Sequence, residues 1–247
     1  MTAQDLEAAR NSFLNLVEYT PLEFVLFAGG CLMWVVAYAI LVRNGYRNKF
    51  IEMPPIAAAS NFAWEFLWST AFETDMGLLL VWTYRAWIIF DLAIFAMVII
   101  YGSRLVLTPA LKSHFRPLIV AVMLCFLALY YLFTSEGFDT SIGAHSAYIA
   151  QLFISGFYIV VILQQRDLRL FSASIAWLRS VGTGMNTVFM LIHYPQHHWL
   201  HAMGLIALLL DTCYIIMFYR LRASTSAAAA RVDAASARTE IQTAGGA

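Results

Sequence analysis

Seven times along the chain, a run of roughly twenty residues passes with almost no charge, which is the length a helix needs to cross the hydrocarbon core of a bilayer. The runs fall at 21–42, 53–72, 80–101, 117–134, 145–163, 172–192 and 199–219. Within 247 residues they leave no room for a separate soluble domain. The chain reads as an all-α membrane protein, a bundle of seven transmembrane helices. Only 12% of its residues are charged, against about a quarter in soluble domains.

The net charge is zero, so the information lies in where the charges sit. Arg43, Arg47 and Lys49 follow the first run, Arg104, Lys112 and Arg116 the third, and Arg166 and Arg169 the fifth. Arg220, Arg222, Arg231 and Arg238 follow the last, and the loops after the second, fourth and sixth runs carry no Lys or Arg. The positive-inside rule then predicts a cytoplasmic C-terminus and an N-terminus on the far side, as an odd number of spans requires. Nothing in this pattern points to nucleic acid as a partner; the partner it implies is the lipid bilayer. Thirteen Arg against two Lys suggest a GC-rich genome, and so a bacterial inner membrane rather than the endoplasmic reticulum of a fungus.

Residues 1–20 lack the basic start and apolar core of a signal peptide. Leu6, Ala9, Phe13, Leu16 and Val17 are spaced for one face of a short interfacial helix. The bundle occupies 21–222. From Ala223 to Ala247 the chain is rich in Ala, Ser and Thr without an apolar stripe, which predicts a disordered tail. Cys31, Cys125 and Cys213 each fall inside a run with no paired spacing, and read as small apolar packers.

Charged groups at bilayer depth cost about 3 kcal/mol each and ordinarily face the bundle interior, where they act. Glu65, Arg85, Asp91, Arg179 and Asp211 qualify, with Asn61, Gln151, Thr183 and Asn186 beside them. Helical spacing sorts them: Asn61, Glu65, Trp68 and Phe72 form one stripe, Tyr84, Trp87 and Asp91 a second. Gln151, Ser155 and Tyr158 line one side of the fifth run, Arg179, Thr183 and Asn186 one side of the sixth, Asp211 and Tyr214 one side of the seventh. Five helices aiming polar groups at one layer predict a cavity. Glu65 lies between Trp64 and Trp68 with no basic residue on its own helix, surroundings in which a carboxyl is expected to keep its proton at neutral pH. The aromatic rings of Trp64, Trp68, Trp87, Tyr158 and Tyr214 suit the stabilisation of a cation.

Blander readings stand beside these. Asn61 and Gln151 also fit interhelical hydrogen bonding, Arg179 a structural ion pair with Asp211 or Asp91, and Arg85 an interfacial anchor. His197 and His201 have a metal-compatible i, i+4 spacing, but Pro195 marks a turn and no nearby acid or thiol completes a ligand set, so no metal is expected.

The stretches "NFAWEFLW", "RAWIIFD" and "LLLDTCY", set in a chain of seven runs, resemble the integral-membrane terpene cyclases of fungal meroterpenoid and indole-diterpene pathways and their bacterial relatives. The resemblance implies an essential Glu on the second helix and an essential Asp on the seventh, which map to Glu65 and Asp211. It also implies protonation of an epoxide or alkene on a prenyl chain, followed by cyclisation without metal, cofactor or diphosphate loss. The substrate would be a lipophilic prenylated molecule, farnesyl-aromatic in kind, epoxidised upstream by a flavin monooxygenase. On this reading Glu65 and Asp211 share the acid proton, Asn61 and Asn186 orient it, and Asp91 orients or takes the final proton. A proton-coupled transporter is the competing reading, although no internal repeat supports it. A retinal protein is disfavoured because Lys49 and Lys112 both lie in loops.

Overall fold

The computed structural model describes residues 3–106, 108–165 and 168–244, with side chains described from Glu7 to Ser224 within those ranges. Its helices are α1 (Ala3–Arg10), α2 (Pro21–Asn48), α3 (Pro55–Thr70), α4 (Leu78–Tyr101), α5 (Pro109–Ser113), α6 (Phe115–Ser135), α7 (Ala144–Gln164), α8 (Ala173–His193) and α9 (His198–Ala244). Each long helix falls on one of the seven apolar runs. Five stretches, Pro21–Asn48, Leu78–Leu105, Phe115–Ser135, Ala144–Gln164 and His198–Ser224, are long and apolar enough to cross a membrane. The other two depart for physical reasons: α3 has 16 residues, about 24 Å at 1.5 Å per residue, and α8 carries Arg179 and several amides and hydroxyls.

Caps set the helix starts. Thr20 and Glu23 form a capping box ahead of α2, with Pro21 at the first helical position. Pro55 opens α3 in the same way, and the Ser172 hydroxyl accepts from the Ile175 N–H to open α8.

Helix α3 is the centre of the bundle: Ala57, Ala58, Ala59 and Ala63 give it small faces, and α4, α6 and α7 pack around it. The remaining neighbours close a ring, α2 lying against α4 and α8, and α9 against α7 and α8. Helix α6 sits outside that ring, with Leu124, Leu129 and Leu132 turned outward. Helices α2 and α8 approach closely because both present glycine: a Cβ on Gly182 would meet the Gly30 carbonyl oxygen at 2.9 Å.

Three terminal or surface expectations change. Helix α1 stops at Arg10, and Ser12, Phe13 and Asn15 instead strap the α3–α4 turn by backbone bonds to 76–79. Phe13, Leu16 and Val17 still protrude, but from turns, while Ala9 is buried. Helix α9 runs through Ala244, across the stretch for which composition predicts disorder, because its alanines favour helix. Of the cysteines only Cys31 is packed inside; Cys125 and Cys213 are exposed.

Candidate active site

Helices α2, α3, α4, α7 and α8, with the turn at 142–144, enclose a cavity whose empty space, mouth included, is about 760 Å³. The α2 wall is Phe27, Cys31, Trp34 and Tyr38, a stripe at i, i+4, i+7 and i+11. Helix α3 supplies Asn61, Trp64 and Glu65, α4 supplies Tyr84 and Trp87, α7 supplies Tyr148 and Gln151, and α8 supplies Thr183, Asn186 and Met190.

Glu65 is 5% exposed, and its Oε2 has no hydrogen-bond partner among the described residues. Just behind it, Asn61 donates through Nδ2 to Asp91 Oδ1 at 2.7 Å and to the Tyr38 hydroxyl at 2.8 Å. Asp91 does not itself line the cavity, and its Oδ2 is also unpartnered.

The aromatic wall is locked by edge-to-face and stacked contacts. Tyr38 meets Trp87 edge-on at 6.0 Å between centroids and Trp34 at 5.6 Å; Trp64 meets Tyr84 at 5.7 Å. The Trp64 indole N–H donates to the Ser146 hydroxyl at 2.8 Å and to the Gly143 carbonyl at 3.2 Å. Gly143 has φ +72° and lies directly under the Trp68 ring, so both its backbone angle and its missing side chain are required there.

The expected partnership of Glu65 with Asp211 is not the arrangement found. Arg179 reaches Asp211 at 2.6 Å with both side chains almost fully buried, and the guanidinium lies 3.8 Å from the centre of the Tyr158 ring and 5.6 Å from that of Tyr214. An arginine cannot discharge by losing its proton, so the carboxylate within reach is taken by it. This cluster lies beneath the cavity: Trp34 and Tyr38 line both the cavity and a closed void bounded by Tyr158 and Arg179. Tyr158, Tyr214, Arg179 and Asp211 are thus neighbours of the site rather than lining it. Trp68 likewise buttresses Trp64, at 6.0 Å, without lining the cavity. Gln151 lines it and donates to Ser155 at 3.0 Å. Arg85 pairs with exposed Glu73 at 2.7 Å and lies over Trp82, as an interfacial anchor would.

His201 bonds the Tyr194 carbonyl at 2.8 Å and His197 faces His145 at 3.5 Å. Among the described residues no three His, Cys, Asp or Glu side chains converge.

The sequence reading missed Trp34, Tyr38 and Cys31 because α2 reads as uniformly apolar; their shared stripe with Phe27 was the available signal. It also missed Glu52, in the turn between α2 and α3, buried with one carboxylate oxygen on the Ser172 N–H at 2.9 Å.

A family model described as Pyr4-like transmembrane terpene cyclases matches residues 8–224. The Pyr4-family terpene cyclase mfmH of Annulohypoxylon moriforme is 30% identical over 78 residues, 32% of this chain and 31% of its own length. Terpene cyclase ascF of Acremonium egyptiacum is 35% identical over 51 residues, 21% of this chain and 19% of its own. The chain thus aligns with less than a third of either relative. No solved structure matches it. The family match takes in every helix that walls the cavity, and the chain belongs to the Pyr4-like transmembrane terpene cyclases.

Proposed function

We propose that this membrane protein is a proton-initiated terpene cyclase, class II-like and metal-independent, acting on a prenylated lipophilic substrate at the cavity between α2, α3, α4, α7 and α8. The observation that carries the reading is Glu65: a buried carboxyl with an unpartnered oxygen, on a cavity otherwise walled by indole and phenol rings. Glu65 gives its proton to the oxygen of an epoxide, or to a terminal alkene. As the O–H bond forms, the C–O bond breaks toward the more substituted carbon, and the chain's double bonds close rings in turn. The last cation loses a proton, so the product has the mass of the substrate. Asp91, held by Asn61, orients the Glu65 carboxyl and returns a proton to it. Trp34, Trp64, Trp87 and Tyr84 stabilise the passing cation, each by up to about 2 kcal/mol where desolvated, and keep water out.

Asp211 takes a different part from the one its position on the seventh run suggested: it neutralises Arg179 under the cavity floor. A farnesyl-aromatic chain epoxidised by a flavin monooxygenase remains the proposed substrate, and the basic loops support a cytoplasmic C-terminus.

The test is an assay of membranes containing the protein against farnesyl-substituted aromatics and their terminal epoxides, read by mass spectrometry and NMR. A cyclic isomer of unchanged mass, absent with Glu65→Gln, is expected. Near-wild-type turnover by Glu65→Gln would overturn the assignment.

A further inference from the structure

On α8, across the ring from Glu65, two cavity-lining residues one turn apart, Thr183 and Asn186, each hold a buried oxygen that no protein group uses among the described residues. Thr183 is 3% exposed and its Oγ1 has no hydrogen-bond partner among the described residues; Asn186 Oδ1 also lacks one. A helical threonine ordinarily disposes of its hydroxyl by donating to the carbonyl four residues back. Thr70, Thr83, Thr187 and Thr212 all do so, at 2.5–2.8 Å. Thr183 does not. The Asn186 Oδ1 is likewise without a partner among the described residues, and it fits only because Gly30 on α2, against which it packs, has no side chain.

Buried polar atoms ordinarily have a partner, so two without one on one turn of one wall mark a place that a ligand completes. Their chemistry narrows the ligand. Thr183 both donates and accepts, and the Asn186 oxygen accepts. Among the described residues no Lys, Arg or His lines the cavity, and Glu65 is the one carboxyl there. The nearest cation, Arg179, is one turn below Thr183 and engaged by Asp211. A phosphate or carboxylate here would be buried with no countercharge, which strongly disfavours it.

We propose that Thr183 and Asn186 form a head-group subsite that selects an uncharged, hydroxyl-bearing head on the prenyl chain, whose O–H donates to Asn186 while its oxygen accepts from Thr183. The reading deepens the proposed function by placing the head on α8 and the reacting terminus at α3, so the chain folds between them across the aromatic wall. It rests on the cavity being the substrate site, not on turnover.

The experiment measures binding with unreactive probes: a farnesylphenol without epoxide, its O-methyl ether, and farnesyl phosphate. Each is titrated into the full chain in lipid nanodiscs, followed by tryptophan quenching against empty nanodiscs. The phenol is expected to bind about tenfold more tightly than the ether, and farnesyl phosphate no better than the ether. Thr183→Val and Asn186→Ala should each bring phenol and ether together, whereas Thr183→Ser should restore the preference. An unchanged phenol-to-ether ratio in both Thr183→Val and Asn186→Ala, or tighter binding of the phosphate, overturns the subsite. Discrimination in binding with no cyclic isomer from any epoxide would sink the cyclase reading and leave the subsite standing.

Discussion

Asn61 and Asp91, thirty residues apart on antiparallel helices, are joined by a 2.7 Å hydrogen bond from the amide to the carboxyl. The same amide nitrogen reaches Tyr38, so a single side chain on α3 ties α2 and α4 together immediately behind Glu65. Leaving a buried carboxyl oxygen without its partner costs about 1–3 kcal/mol, which in a rate is about five- to a hundredfold. Asn61→Ala is therefore expected to lower the initial rate of cyclisation by that factor, while Glu65→Gln removes it altogether. Comparison of initial rates in membranes at equal protein level checks this; a rate within twofold of wild type would show that Asp91 needs no such support.

The Arg179–Asp211 pair makes a second prediction, because breaking a buried pair and replacing it have different consequences. Arg179→Met alone leaves Asp211 charged and unpaired, and is expected to destabilise by about 3–5 kcal/mol. Arg179→Met combined with Asp211→Leu removes both charges and is expected to recover most of that loss. Thermal unfolding in detergent reads stability, and the isomer assay reads function. If Asp211 serves only as the counter-ion of Arg179, the double variant cyclises; if it donates the proton, the double variant is stable and inactive.

The apolar runs made the seven long helices legible, and the intramembrane charges made the site legible, since burial leaves a carboxyl few other reasons to be there. Asn61, Glu65, Trp87 and Asn186, which spacing sets on polar stripes, line the cavity, whereas Trp68, on the same stripe as Glu65, does not and Trp64, off it, does. Partner choice could not be read this way, because spacing fixes which face of its own helix a residue occupies and not which helix lies opposite. Spacing thus leaves Asp211 open to Glu65 as a partner, whereas α8 brings Arg179 to it at 2.6 Å. The α2 wall was invisible for another reason: in a run where every residue is apolar, Trp34 and Tyr38 carry no contrast.

Trp64 and Trp82 separate cation guidance from interfacial anchoring. Trp64 lines the cavity and is fixed by Ser146 and Gly143, whereas Trp82 is 61% exposed beneath Arg85. Trp64→Ala removes a stabilising ring worth about 1–2 kcal/mol to a nearby cation, so partly cyclised and water-quenched products should rise about tenfold relative to the main isomer. Trp82→Ala should leave the product ratio as it is. Product profiles by mass spectrometry decide the point, and equal shifts in the two variants would mean that both tryptophans are only a belt.

Glu52 gives stability a pH dependence. It lies in the turn between α2 and α3, 2% exposed, and burial pushes its carboxyl up from the ordinary 4.5 to about 8, although the Ser172 N–H and the charge of Arg179 pull the other way. The folded chain thus holds a proton on Glu52 over a range where the unfolded chain has released it. Stability falls wherever the folded state binds the extra proton and pH rises. The contribution is full below about pH 4.5, declines from there to about pH 8, and is lost above it. Glu52→Gln keeps the Ser172 bond and cannot ionise, so its unfolding temperature should vary less with pH across that window. It should also exceed that of the wild type above about pH 8. Thermal unfolding of both proteins in one detergent, stepped in pH, measures the difference; parallel curves would mean that Glu52 is ionised in the folded protein throughout.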